Sequence, residues 1–210
     1  MKPRYAKRKL EEAKFRDDKF MNQKRVFIIH SWGGTPHEPL YKWLKSELEK
    51  KDFEVVVPEM TNSEKPEIEA WVSKLEEVIG VPNKDTILVG HSIGCQTILI
   101  YLERLQPEVK VGGVVLIAPW LTLSNLESDE EQQVAAPWIN TSIKEVDVIK
   151  HTPKITAIFS DNDPHVHGEN IELLRKRFNA EIIVERNMGH FTADDGVEKL
   201  ESALNAILET

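Results

Sequence analysis

The sequence predicts an α/β fold: a three-layer α/β/α sandwich around a mostly parallel sheet of about six strands. Three observations predict it. Six short β-like runs alternate with helical stretches along the chain. Most of the runs are continuously apolar rather than strictly alternating, as strands buried on both faces of a parallel sheet require. The helical stretches repeat apolar residues at three- and four-residue spacing, the one-sided stripe that packs on a sheet. A chain of 210 residues is long enough for one sizeable core and short for two.

The elements follow in order. "RVFII" (25–29) is the first expected strand, and "PLYKWLKSELEKK" (39–51) the first helix. "EVVVP" (54–58) is the second strand, followed by the helical "EIEAWVSKLEEVIG" (67–80), with Gly80 and Pro82 where a helix should stop. "TILVG" (86–90) runs into a helix over "QTILIYLERL" (96–105). "GVVLIA" (113–118), "ITAIF" (155–159) and "EIIVE" (181–185) complete the strands, with "ENIELLRKRF" (169–178) and "GVEKLESALNAIL" (196–208) as the last helices. Right-handed crossovers join such units. No internal repeat and no linker interrupts them, so residues 25–210 form a single domain behind a basic extension over 1–24.

One connection is longer than a βα loop needs: 119–153, "PWLTLSNLESDEEQQVAAPWINTSIKEVDVIKHTP". It reads either as a lid-like cap over a pocket, lined by Trp120 and Trp138, or as a covering helix. Its acidic "ESDEEQQ" reads as a solvated turn.

Composition bounds the function. No window approaches ~18 consecutive apolar residues, so no membrane span is expected, and the N-terminus lacks the apolar run of a signal peptide. The single cysteine, Cys95, excludes an internal disulfide framework and fits a reducing compartment; the expected location is cytoplasmic. The net charge of -8 conceals an asymmetry, because residues 1–24 carry +5 and the remainder -13. So acidic a body argues against nucleic-acid binding, which needs clustered cations. The basic arm reads first as a solvated helical extension.

The chemistry centres on Gly90-His91-Ser92-Ile93-Gly94, placed between a buried strand and a helix. A serine there occupies a sharp, strained turn, and small neighbours let chain pass close on both sides. Its hydroxyl is presented at the carboxyl end of the sheet, where open α/β folds place ligands. The following helix aims its N-terminus at the same spot and favours developing negative charge. Ser92 therefore reads as a nucleophile, which needs a base and an orienting carboxylate. In this arrangement they follow in the order Ser, acid, His, each in a loop after a later strand. Ser160-Asp161-Asn162-Asp163-Pro164 follows "ITAIF", and Met188-Gly189-His190-Phe191 follows "EIIVE". Gly189 would let the backbone turn and aim the His190 ring inward. Asp161 competes with Asp163 for the orienting role. Asp163 is favoured because the position before proline is held extended, whereas Asp161 suits bracing the turn.

Gly90-His91-Ser92-Ile93-Gly94, Asp163-Pro164 and Gly189-His190-Phe191 together resemble the α/β-hydrolase superfamily. The compact length further resembles the small serine hydrolases related to retinoblastoma-binding protein 9, the YdeN-type group, over roughly residues 25–208. "YKWLKSELEKK" and Pro137-Trp138 are similar to that group less specifically. The resemblance implies a compact α/β-hydrolase fold, a Ser92–Asp163–His190 triad and a sheet in the order 2-1-3-4-5-6. It assigns nothing to the first 24 residues. It also implies an oxyanion hole of two backbone N–H groups. One is that of Ile93; the other belongs to the loop His30-Ser31-Trp32-Gly33-Gly34, with Trp32 first choice and Ser31 second. Ser31 departs from the glycine usual at its position. Ser31, Trp120 and Trp138 are expected to line the substrate pocket.

Competing readings are weaker. Asp161, Asp163, His165 and His167 alternate in "DNDPHVH" and could be heard as a metal site, but alternating ligands in an irregular loop carry little weight, and neither metal nor cofactor is expected. His30 and His91 do not occupy the base's position in chain order and read as structural or supporting groups. A helix N-terminus can activate a thiol, yet Cys95 reads as a core residue. The expected function is that of a serine hydrolase, carboxylesterase-like, cleaving small to medium acyl esters through an acyl-enzyme; amides and thioesters need the same machinery. The alternative is a protein-interaction module on the same scaffold, contacting a protein partner through exposed tryptophans of 119–139 and the basic arm.

Overall fold

Parallel pairing of six strands in the order β2-β1-β3-β4-β5-β6 forms the sheet of the computed structural model, which describes residues 23–126 and 128–210. The basic extension expected over 1–24 thus lies, apart from Gln23 and Lys24, outside the described residues. The strands are β1 (Arg25–Ile29), β2 (Glu54–Val56), β3 (Thr86–His91), β4 (Gly113–Ile117), β5 (Ile155–Ser160) and β6 (Glu181–Glu185). Every residue of β3, β4 and β5 is buried, which is why their sequences read as unbroken apolar runs. The edges β2 and β6 keep solvent-facing residues.

The described residues form seven helices. α1 (Pro39–Glu49) and α7 (Glu201–Leu208) touch each other on one face of the sheet. On the other face α2 (Ile68–Ile79), α3 (Ile93–Arg104), α5 (Glu145–Ile149) and α6 (Glu169–Phe178) pack in a row. α4 (Asp129–Ile139) lies in the long insertion. α3 is buried along Ile93–Leu102, so it runs through the core instead of lying over it. None of the helices of the described residues is long and apolar enough to cross a membrane.

Some boundaries differ from the expected ones. β2 stops at Val56, where pairing with Phe27 ends; Pro58 has no N–H to extend a ladder. β4 ends before Ala118, whose φ of 48° leaves the strand while its N–H donates to the Ile158 carbonyl at 2.8 Å. The last helix begins at Glu201, not 196, because Thr192–Gly196 form a turn closed by Val197 N–H on the Thr192 carbonyl. From Ser128 onward, "ESDEEQQ" is no solvated turn. It starts α4, with Ser128 as N-cap and Glu131 completing a capping box.

The chain runs outward from β1 to β2 and then returns to place β3 on β1's other side. That reversal opens a crevice at the carboxyl ends of β1 and β3, the switch point at which open α/β sheets bind ligands.

Candidate active site

β3 ends at His91 and α3 begins at Ile93, leaving Ser92 alone in the junction. Its φ of 53° and ψ of -118° place a non-glycine residue in left-handed territory, a conformation that costs on the order of 1–3 kcal/mol and persists only where surroundings enforce it. The Ser92 N–H donates to the Ile117 carbonyl and the Cys95 N–H to the Ser92 carbonyl, both at 2.9 Å. The flanking glycines are required by closeness. A Cβ on Gly90 would stand 2.7 Å from the Cys95 nitrogen, and one on Gly94 2.4 Å from the Ile29 carbonyl oxygen. The elbow is thereby pressed against the end of β1, and Ser92 reaches the surface only at the crevice, 7% exposed.

The loops after β5 and β6 bring the expected base and acid together. His190 Nδ1 donates to Asp163 Oδ2 at 2.8 Å. Because a carboxylate only accepts, Nδ1 carries the proton and Nε2 of the neutral ring is left with the lone pair. Asp163 Oδ1 accepts the N–H groups of His165 (2.9 Å) and Val166 (3.0 Å). Burial acts to raise the Asp163 pKa, but the His190 hydrogen bond and charge, with those two N–H groups, hold it below the usual carboxylate range. Asp161 does other work: its carboxylate accepts the Asn187 N–H at 2.8 Å and ties the two loops together.

Further braces were not foreseen from sequence. Asn162 Oδ1 accepts the Gly189 N–H at 2.8 Å. Asp195 Oδ2 accepts the N–H groups of His190 (2.9 Å) and Thr192 (3.0 Å) and the Thr192 hydroxyl (2.7 Å). Its place five residues past His190, just ahead of the stretch 196–208 expected to be helical, carried no local signal of this role.

The loop after β1 uses most of its amides. Ser31 N–H donates to Tyr41 Oη at 3.1 Å, Gly33 N–H to the Ser63 carbonyl at 2.8 Å and Gly34 N–H to the Ser31 carbonyl at 3.1 Å. Among the described residues the Trp32 N–H has no backbone partner, and the Ile93 N–H opens a helix, where no intrahelical acceptor exists. Ser31, the second choice for the oxyanion hole, has therefore spent its N–H on Tyr41. His30 braces this loop from below, with Nδ1 donating to the Ser31 carbonyl (2.9 Å) and Nε2 accepting the Met60 N–H (3.1 Å).

Ser92 and His190 line one cleft of about 320 Å³, with Ser31 and Trp32 on one wall and His165 on another. The long insertion contributes Leu123, Asn125 and Leu126. Trp120 and Trp138, expected to line the pocket, do not: both are 1% exposed and belong to the core. Trp138 packs edge-on against Trp71 at 6.2 Å, and its Nε1 donates to the Pro66 carbonyl at 3.0 Å. An indole with a carbonyl partner in the interior is better satisfied there than at a wet rim. The tryptophan contact surface of the interaction-module reading is therefore absent among the described residues.

Of the remaining candidates, Cys95 and His167 stand apart from the cleft that Ser92 lines, whereas His165 borders it. Cys95 is buried, its Sγ donates to the Ile117 carbonyl at 3.3 Å, and burial pushes the thiol pKa well up. His167 is exposed and meets the Ser124 hydroxyl at 3.2 Å, while His165 stands edge-on to His190 with ring centres 5.4 Å apart. Among the described residues no group of three or more His, Cys, Asp or Glu side chains is arranged to hold a metal ion.

Comparison with known proteins agrees with this architecture. The YdeN protein of Bacillus subtilis (strain 168), named as a candidate hydrolase, is 27% identical over 178 residues, which is 84% of this chain and 90% of its own. The crystal structure of the B. subtilis ydeN gene product matches with a TM-score of 0.81 at 25% identity, over 89% of this chain and 98% of that one. Two more distant structures share the fold. One comes from a study of carboxylesterases of Nitrososphaera gargenis (TM-score 0.65, 14% identity, 90% of this chain and 89% of that one). The other is Est1E of Butyrivibrio proteoclasticus with ferulic acid bound (TM-score 0.66, 15% identity, 88% of each chain). A family model described as "Serine hydrolase" matches residues 26–209, and the chain belongs to that family.

Proposed function

We propose that this hydrolase cleaves carboxylic esters through Ser92, His190 and Asp163, with the Trp32 and Ile93 N–H groups as its oxyanion hole. The observation that carries this reading is the 2.8 Å Asp163–His190 contact on the cleft that Ser92 also lines. His190 Nε2 takes the Ser92 proton as Oγ attacks the acyl carbon, and the negative charge on the carbonyl oxygen is met by the two amides. Collapse of the adduct breaks the carbon–oxygen ester bond, and the leaving alkoxide takes the proton from His190. Water then attacks the acyl-enzyme by the same route, releasing the acid and regenerating Ser92. Asp163 keeps the imidazole in the required tautomer throughout.

A cleft of about 320 Å³ lies at the small end of ligand sites, which favours short and medium acyl groups. The test is covalent labelling by a fluorophosphonate read by intact mass. The wild type is expected to gain one adduct on Ser92 and Ser92→Ala none. An unlabelled wild type, or equal labelling of both, overturns the reading.

A further inference from the structure

Two fully buried polar side chains outside the proposed triad join the two halves of the site. Tyr41 sits on α1 with 1% exposure, and His91 is the last residue of β3 with 2%. Ser31 N–H donates to Tyr41 Oη at 3.1 Å, Tyr41 Oη meets His91 Nδ1 at 2.7 Å, and His91 Nε2 meets the His190 carbonyl at 2.8 Å. The directions follow from the ends. A carbonyl can only accept, so His91 Nε2 carries the proton; Nδ1 then holds a lone pair, and the Tyr41 hydroxyl must donate to it. All three bonds therefore point the same way, from the loop after β1 to the loop after β6.

We propose that Tyr41 and His91 are positioning residues that lock the oxyanion loop and the His190 loop into one register. The proposal rests on the ester-cleaving reading for its kinetic consequence, though not for its geometry. Each end of the chain lies beside a reacting group. Ser31 N–H is one peptide from the Trp32 N–H, and the His190 carbonyl belongs to the residue whose ring must meet Ser92. A phenylalanine and a leucine would fill the same core space without burying three polar atoms. Leaving any of those atoms unpaired forfeits the hydration it had in the unfolded chain, so the polar pair is a device whose gain lies in orientation. Burial first, and the neighbouring His190 second, push the His91 pKa down to about 3, which keeps the ring neutral and the bond directions fixed. The His91 and His190 rings lie 5.4 Å apart, tilted by 37°, so movement of one is felt by the other.

The test compares Tyr41→Phe, His91→Leu and His91→Gln with wild type. Tyr41→Phe removes one oxygen and is expected to lower kcat for p-nitrophenyl butyrate ~10- to 100-fold, the scale of a misplacement approaching 1 Å, with KM nearly unchanged. His91→Gln keeps a donor and an acceptor and should recover most of the activity that His91→Leu loses. Hydrogen exchange supplies a readout independent of turnover: in Tyr41→Phe, peptides covering 30–34 and 187–193 should both exchange faster. Wild-type kcat in Tyr41→Phe with unchanged exchange over 187–193 overturns the proposal, as does equal loss in the Gln and Leu variants. If wild type turns over no faster than Ser92→Ala, the ester reading falls, and the exchange of the two loops alone decides the positioning role.

Discussion

Asp161 and Asp163 stand two residues apart in one loop, and their carboxylates do different work. Asp163 has both oxygens committed inside the site, one to His190 Nδ1 and the other to two backbone N–H groups. Asp161 is exposed and holds Asn187. Asp163→Asn is therefore expected to lower kcat/KM ~10³- to 10⁴-fold, since an amide can favour the wrong imidazole tautomer, while Asp161→Asn stays within ~10-fold. Steady-state ester kinetics on the two variants separate the roles. At this scale the sequence was legible where function is local. A serine in a strand–helix junction and a histidine after a strand are visible in a few residues each. Tyr41 and Asp195 were not, because their roles exist only through contacts made by folding. Tyr41 reaches His91 across 50 positions, and Asp195 works from a turn that its own bonds to Thr192 help create.

Among the elements, the insertion over 119–153 departs furthest from its expected role. Its tryptophans point into the core, and its contribution to the cleft comes from the stretch Leu123 to Leu126 before α4 and from Glu131 in the first turn of α4. Trp138→Ala should then cost ~3–5 kcal/mol of stability, the usual penalty for emptying a large core site, without moving the acyl-length preference. Chemical denaturation and an ester series on the same variant check both halves. A shifted preference at unchanged stability would return Trp138 to the pocket. The strands were legible because burial on both faces leaves no room for polar residues. α4 was legible in principle through Ser128-x-x-Glu131, but its acidic first turn resembles a solvated loop unless the capping box is recognised. The burial of Trp120 and Trp138 had no local signature, since an indole serves a core or a pocket equally well.

For the whole molecule, the buried imidazole of His91 sets a pH response. Its ring is neutral in the folded protein down to a pKa of about 3, against 6.5 for the ordinary group, so below pH ~6.5 the unfolded chain binds a proton that the folded one refuses. Stability is complete above that value and falls as the pH drops toward 3, by ~2 kcal/mol at pH 5 from this residue alone. Asp163 and Asp195, both held below the ordinary carboxylate pKa of 3.8, add a further loss only below that value. Urea denaturation of wild type and His91→Gln from pH 7 to 4 should show the wild type losing stability more steeply. Parallel slopes would mean that the imidazole is not the titrating group.

Every role assigned around the cleft depends on Ser92 acting as a nucleophile served by His190. Hydrolysis of a p-nitrophenyl ester series, acetate through decanoate, by wild type, Ser92→Ala and His190→Ala decides whether it does. Saturable turnover by the wild type, greatest at short to medium chain length, with both variants reduced at least ~10³-fold, is the predicted result. Equal rates for all three proteins, or no turnover by any, would contradict it.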